Sequence, residues 1–422
     1  MMLLKKGGRG NLRVFLFILI VLMCFNPYMT FMVYVPQLNV MGGFVAQFFC
    51  LILFLFLDSR NTILGKKSLL NTCMLFQLFG FFLLFVVHQA VGYLLFYITV
   101  LLVLLMISYV EKTIGIKTFY NYYNKWICLM AIGGVGVLVL AIIGVPPVYE
   151  CTSPVSSSFT ISSWIIGFTN TYRSSAGELF SFVRYSGFFD EPGAMAYWGI
   201  FALVFNKLFI NNTKLEISLI ILLLFTFSLG FYVQISVYLF LIYGLKRSRY
   251  RLPVIILVSL VVFGLYYTKD TEYSAIYDMS IGRIDRTAQV SGSNIVLEDN
   301  NRSDLTDLAR KTFLENPVFG VGSKKMQEME YMQDNPYETL ASVGIVGTFF
   351  LYMPYIILLF LAIKNRDGLL LRLLIVLILG FMHRPFHTTV LAFFITYSLL
   401  YLYEKTYGRH KTTSVGSYSG VQ

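Results

Sequence analysis

The stretch Val14–Val35 contains no charged residue, and the same pattern recurs at Val40–Leu57, Ser68–Val87, Val91–Val110 and Trp126–Val145. Each run is close to the roughly 20 apolar residues that a helix needs to cross a hydrocarbon core. A chain with this repeat cannot fold as an ordinary soluble domain. It must satisfy its backbone inside helices that lie in lipid. The whole sequence agrees: of 422 residues, 57% are hydrophobic and only 13% charged, against about 25% charged in soluble domains. The alternating apolar and polar pattern of a membrane β-barrel is absent. The expected fold class is therefore an all-α polytopic integral membrane protein.

Charge sets the expected topology. The short loops Asp58–Lys67, Glu111–Lys125, Asn206–Lys214, Lys246–Arg251 and Lys364–Arg372, together with both termini, hold most of the Lys and Arg and few of the acidic residues. Basic loops mark the cytoplasmic side. The net charge of +11 is thus a membrane signal, and no nucleic-acid partner is expected. The basic N-terminus Met1–Arg13 leads into the first span without a small-residue cleavage site, so it reads as a retained anchor. Ile217–Leu245 is 29 uncharged residues. As one helix it would be about 43 Å long, more than a roughly 30 Å core accepts without tilt. It would also place basic flanks on opposite sides. A hairpin turning near Ser228-Leu229-Gly230 avoids both problems and gives twelve spans; a single tilted helix would give eleven. The expected order is helices 1–5 in 1–145, a long external loop in 146–190, helices 6–9 in 191–267, a second external loop in 268–338, helices 10–12 in 339–403, and a cytoplasmic tail in 404–422.

The candidate chemistry lies at the external ends. External cations are mainly Arg, including Arg173, Arg184, Arg283, Arg302, Arg310 and Arg384. Guanidinium suits phosphate because its planar fork donates two parallel hydrogen bonds and keeps its charge. Some of these residues suit the simpler role of solvating a loop. Arg184 and Arg384 fall close to membrane boundaries, where an unpaired cation is costly. In "RYSGFFDEPG" (Arg184–Gly193), Asp190 and Glu191 precede Pro192, a good first helical residue. They suit the positive end of that helix, or a role as base or as the orienting partner of Arg184. "ENPVFGVGS" (Glu315–Ser323) ends a helical segment in a Gly-bracketed turn. "QDNPYETLASVGIVGTFF" (Gln333–Phe350) places Asn335 and Glu338 at the mouth of the next span, with Gly344 and Gly347 allowing close helix packing. "MHRPFHTT" (Met382–Thr389) offers His383, Arg384 and His387 around Pro385. Two His without Cys or acidic companions make a poor metal site. His88 reads as a polar cap on its span. Cys24, Cys50, Cys73 and Cys128 lie in apolar runs and read as small core residues.

The order of "RYSGFFDEPG", "NPVFGVG" and "NPYETLASVGIVGTFF" on a many-span chain resembles the O-antigen polymerases (the Wzy family) and the related O-antigen ligases (the WaaL family), over roughly Arg184 to Thr406. The resemblance implies inverting, metal-independent glycosyl transfer on the outer face of the bacterial inner membrane, with no cofactor. The donor would be a glycan on undecaprenyl pyrophosphate and the acceptor a new lipid-linked repeat unit. Membrane lipid and a chain-length regulator protein would be its partners. By motif position, Arg184 matches the family Arg before its Gly, and Arg302 the Arg upstream of the "NPxxGxG" turn, with Arg310 as the substitute. The residue reading and the resemblance together give Arg184, Asp190, Glu191 and Arg302 as the expected catalytic residues, with Arg184 and Arg302 carried over by motif position. They give Arg310, Asn335, Glu338, His383 and Arg384 as the expected pyrophosphate- or glycan-binding residues. Asp334 stands where ligases commonly carry His, which favours polymerase. Ser228-Leu229-Gly230 lacks the Arg usual in the family hairpin.

Two other readings compete. A ligase would join the finished glycan to lipid A-core by nearly the same chemistry. A flippase for lipid-linked glycans would carry ionisable residues within its spans and paired sequence halves. The predicted spans hold almost no ionisable residue, which favours an enzyme working at the surface.

Overall fold

The computed structural model describes residues 69–152, 160–165, 168–173, 182–187, 189, 192–245, 301–328, 335–383 and 389–414, with isolated positions at 49, 52, 259, 263–264, 266–270 and 277. The expected spans Val14–Val35 and Val40–Leu57, and most of 252–300, lie outside the described residues, so the count of twelve does too. Among the described residues, four helices are long and apolar enough to cross a membrane, or five when a bent pair is taken as one span. The protein is a helical membrane protein.

The first three helices form a tight meander: α1 (Leu69–His88), α2 (Val91–Thr113) and α3 (Ile116–Ile142). Gly115, at φ 80°, supplies the reversal between α2 and α3, a conformation that costs other residues a Cβ clash. Glu111 accepts the Ile116 N–H at 3.1 Å and so caps α3. After the sheet described below comes α4 (Pro192–Phe205), which opens on Pro192 at N1. Every residue from Ala194 to Phe205 is buried. A helix apolar on all faces belongs at the centre of a bundle, and α4 occupies that place. It ends in a π-helical turn, Asn206–Ile210.

The 29-residue apolar stretch forms two helices, α5 (Thr213–Leu224) and α6 (Leu229–Leu239), and α6 also ends in a π turn, Phe240–Gly244. The chain reverses between them. Glu216 near the start of α5 meets Tyr243 beyond the end of α6 at 2.7 Å, which a continuous helix would separate by about 40 Å. Ser228 caps α6 by accepting the Phe231 N–H at 3.4 Å, and Phe227 takes a positive φ of 49° in the turn.

The Ser/Thr-rich segment expected as a loop folds into a four-stranded antiparallel meander: β1 (Tyr149–Thr152), β2 (Thr160–Ile165), β3 (Phe168–Arg173) and β4 (Phe182–Gly187). The helical fold thus carries one β addition, in the segment expected as the first external loop. Trp164 and Tyr185 pin the sheet against α3 and the segment that follows it. Trp164 donates to the Val145 carbonyl at 2.6 Å. Tyr185 lies so close to Gly134 of α3 that a Cβ there would sit 2.3 Å from its ring.

The remaining helices are α7 (Asn301–Glu315), α8 (Ser323–Glu328), α9 (Glu338–Leu351), α10 (Met353–Lys364), α11 (Gly368–His383) and α12 (Val390–Ser414). α9 and α10 meet at a 44° bend, where Pro354 in the first turn of α10 withholds a donor. Gln77 of α1 donates to the Leu351 carbonyl at that bend, at 2.7 Å, and accepts from Tyr397 of α12. A side-chain amide thereby satisfies backbone that lipid could not.

Candidate functional site

The contacts sort the helix ends into two groups. At one end Glu404 of α12 accepts the Leu69 N–H of α1 at 2.8 Å, Lys405 pairs with Glu111 of α2, and Lys207 pairs with Glu216 at 3.3 Å. These groups sit in, or border, the loops expected to be cytoplasmic. The other end holds the sheet with Arg184, the α5–α6 turn, α7 with Arg302 and Arg310, α8, and the start of α9 with Asn335 and Glu338.

Arg184 lies on β4, half-buried, and its Nη1 donates to the Phe227 carbonyl in the α5–α6 turn at 3.4 Å. It also interacts electrostatically with the Tyr232 phenol of α6. The next residue anchors the strand: Tyr185 donates to the Leu222 carbonyl of α5 at 2.6 Å. Burial pushes the Tyr185 phenol up, so it remains a neutral donor at physiological pH. Alternation along β4 therefore explains the local sequence. Tyr185 faces the helices and fixes the strand, while Arg184 faces the turn. Asp190, Glu191 and Arg384 lie outside the described residues.

The second group is built on an interrupted helix. Gly344 within α9 adopts φ 64° and ψ −171°. The break frees backbone groups on both sides of it, and the "NPVFGVG" segment pairs with them. Ile345 and Val346 donate to the Pro317 and Val318 carbonyls at 2.9 and 3.1 Å. Val321 and Gly322 donate to the Ala341 and Ser342 carbonyls at 2.9 and 2.8 Å. Only glycine fits at the crossing. A Cβ on Gly344 would lie 2.4 Å from the Val318 carbonyl oxygen, and one on Gly320 2.5 Å from the Ala341 carbonyl oxygen. His88 closes the junction from α1, its Nε2 2.9 Å from the Phe319 carbonyl oxygen. The expectation of a polar cap for His88 thus has a specific partner. Gly347 does serve close packing: a Cβ there would lie 3.1 Å from Leu84 of α1.

This junction ties α7 to the mouth of α9. Ala309, Met326 and Ala341 form a small buried cluster between them. Arg310, beside Ala309, is exposed, and Arg302 falls in the first turn of α7. Asn335 is 3% exposed and accepts the Tyr337 N–H at 3.0 Å, the geometry of an Asx turn that starts a helix. That role orders the backbone and accounts for its burial. Glu338 opens α9, half-buried, and interacts with Tyr352 at the α9–α10 bend, as does Thr339.

The His383 end of α11 contacts both groups. Gly380 faces α4 and α6: a Cβ on it would stand 3.2 Å from both Tyr197 and Gln234. Phe381 packs on Tyr352 with ring centroids 5.4 Å apart, and His383 ends the helix two residues later. α11 thus touches α6, which carries Tyr232 beside Arg184, and touches Tyr352, which interacts with Glu338. Tyr232 and Gln234 join them without having been anticipated; polar residues in the run Leu229–Leu239 were the available signal. No cluster of three His, Cys, Asp or Glu that could hold a metal occurs among the described residues. Neither a family model nor a curated protein matches the sequence.

Proposed function

We propose that this chain is an O-antigen type polymerase of the bacterial inner membrane, with twelve spans, both termini inside and its site on the periplasmic side. The observation that carries the reading is the placement of Arg184: a half-buried guanidinium on a strand, anchored to the hairpin turn at the end of the bundle that also holds Arg310 and Glu338. The order of the three motifs supports it. The ligase shares the chemistry but has no separate structural observation in its favour.

In the reaction, a hydroxyl of the new repeat unit attacks the anomeric carbon of the donor glycan. The bond from that carbon to the pyrophosphate oxygen breaks, and undecaprenyl pyrophosphate leaves with the electron pair. Glu191 or Asp190 takes the hydroxyl proton. Arg184, with Arg302 or Arg310, binds the leaving pyrophosphate. Fixed cations aimed at developing charge act without reorganising during the step. Glu338, His383 and Arg384 bind the glycan and the diphosphate of the lipid carriers. Asn335 contributes by holding the mouth of α9 in place.

The test is deletion of the gene in its host followed by electrophoresis of the lipopolysaccharide. A polymerase predicts loss of the ladder, with a single repeat unit still joined to core. Loss of all repeat units from core, with polymer accumulating on undecaprenyl pyrophosphate, would replace this reading with the ligase.

A further inference from the structure

The opposite end of the bundle holds a cavity that glycosyl transfer does not use. Its volume is about 330 Å³, and its polar lining is Lys207, Asn211, Tyr243 and Arg372. That is near the lower bound for small-molecule pockets. Two π-helical turns form its walls. Lys207 and Leu208 belong to the turn that ends α4, and Tyr243 to the turn that ends α6. π turns are rare and occur often at functional sites. In the second of them the Leu241 carbonyl accepts from Arg372 of α11 at 3.1 Å.

The charges around the cavity do not cancel. Lys207 is balanced by Glu216, which is 1% exposed and also accepts from Tyr238 at 2.6 Å and Tyr243 at 2.7 Å. Arg372 donates to two backbone carbonyls, Gly368 at 2.7 Å and Leu241 at 3.1 Å. Carbonyls carry no net charge. Among the described residues no carboxylate lines the cavity. One positive charge, the Arg372 guanidinium, is left over beside the Lys207 ammonium and the Asn211 amide. Leu208, Ile242 and Leu369 make the rest of the wall apolar.

We infer that this cavity binds the phosphate of an anionic phospholipid headgroup. A phosphodiester carries one negative charge on two oxygens, which matches both the surplus charge and the guanidinium fork. The apolar wall suits the glycerol and the first acyl carbons. Basic pockets between helices at the cytoplasmic surface take lipid head groups of this kind, and the loops that border this one are those expected to be cytoplasmic.

The test is native mass spectrometry of the full chain in detergent with equal phosphatidylglycerol and phosphatidylcholine of matched acyl chains. The wild type is expected to retain one phosphatidylglycerol in preference to phosphatidylcholine. Arg372→Gln is expected to lose that preference about tenfold, the scale of one charge-assisted hydrogen bond. Leu369→Trp, which keeps both cations and fills the space, is expected to lose it as well, and covers the case in which Arg372→Gln does not fold. Equal retention of the two lipids by the wild type, or undiminished preference in folded variants, would overturn the inference. So would binding of inorganic phosphate that depends on Arg372 but that phosphatidylglycerol does not displace, since the ligand would then be a soluble anion. Lipid retention is read without glycan synthesis, so this result stands or falls apart from the polymerase reading.

Discussion

The two ends of the bundle are held together by different physics. At the basic end ionisable side chains carry the structure: Lys207 with Glu216, Lys405 with Glu111, and Glu404 on the N-terminus of α1. At the other end the backbone holds the parts together. Strands pair with strands, and the "NPVFGVG" segment hydrogen-bonds across the break in α9. The difference shows where charge can serve a ligand. Charges committed to opposite charges hold the fold at the basic end and leave Arg372 there as the spare cation, whereas the end built from backbone bonds presents Arg310 exposed and Arg184 half-buried on a prepared frame.

The contrast can be broken first at Glu216. Glu216→Ala leaves a buried ammonium and two phenols without their acceptor. We expect a loss of about 3–5 kcal/mol, the usual result of removing one partner of a buried pair, read as a shift in denaturant unfolding in detergent. The double variant Lys207→Met, Glu216→Leu should recover only part of it: the ammonium no longer needs a partner, while the Tyr238 and Tyr243 phenols still lack their acceptor. At the other end Gly344→Ala should cost about 3 kcal/mol, combining a positive φ with extended ψ that is nearly glycine-only and an overlap with Val318 that forces the paired segments apart. Its signature is easier proteolysis of α7 with α4 unaffected. Ser228→Ala removes the cap of α6 and should cost about 1 kcal/mol. Lys405→Ala should cost under about 1 kcal/mol, since exposed pairs are screened and the Lys405 side chain is 37% exposed. A loss from Lys405→Ala as large as that from Glu216→Ala would erase the distinction between the two ends.

The features of this structure that were readable from the sequence share one cause. The lipid solvent imposes long uncharged runs, and it penalises a 29-residue helix with basic flanks on opposite sides. The helical membrane class and the reversal near Ser228 followed from those two facts. The sheet did not follow. Its strands are held by backbone pairing, which leaves little trace in "TISSWI" or "FTNTYR", and its residues read as a polar loop. Glu216 was also missed. It stands between the basic loop and the apolar run, and its acceptor role depends on Tyr238 of α6 and Tyr243 of the following π turn, which only the folded hairpin brings to it. Gly344 was recognised as a packing residue. Its positive φ and its close approach to Val318 are long-range facts that one helix's pattern does not contain. Arg184 was singled out by residue type and position. That it rests on the Phe227 carbonyl depends on a sheet the sequence did not reveal.

The role of Arg184 is most directly tested by restoring a deletion strain with Arg184→Ala at wild-type membrane levels and running its lipopolysaccharide. We predict loss of the ladder, with one repeat unit still on core. The unfolding transition should stay within about 3 kcal/mol of wild type, the scale of a hydrogen bond from a charged group, because Tyr185 and the pairing with β3 continue to hold the strand. A full ladder from this variant would contradict the assignment of Arg184 to pyrophosphate.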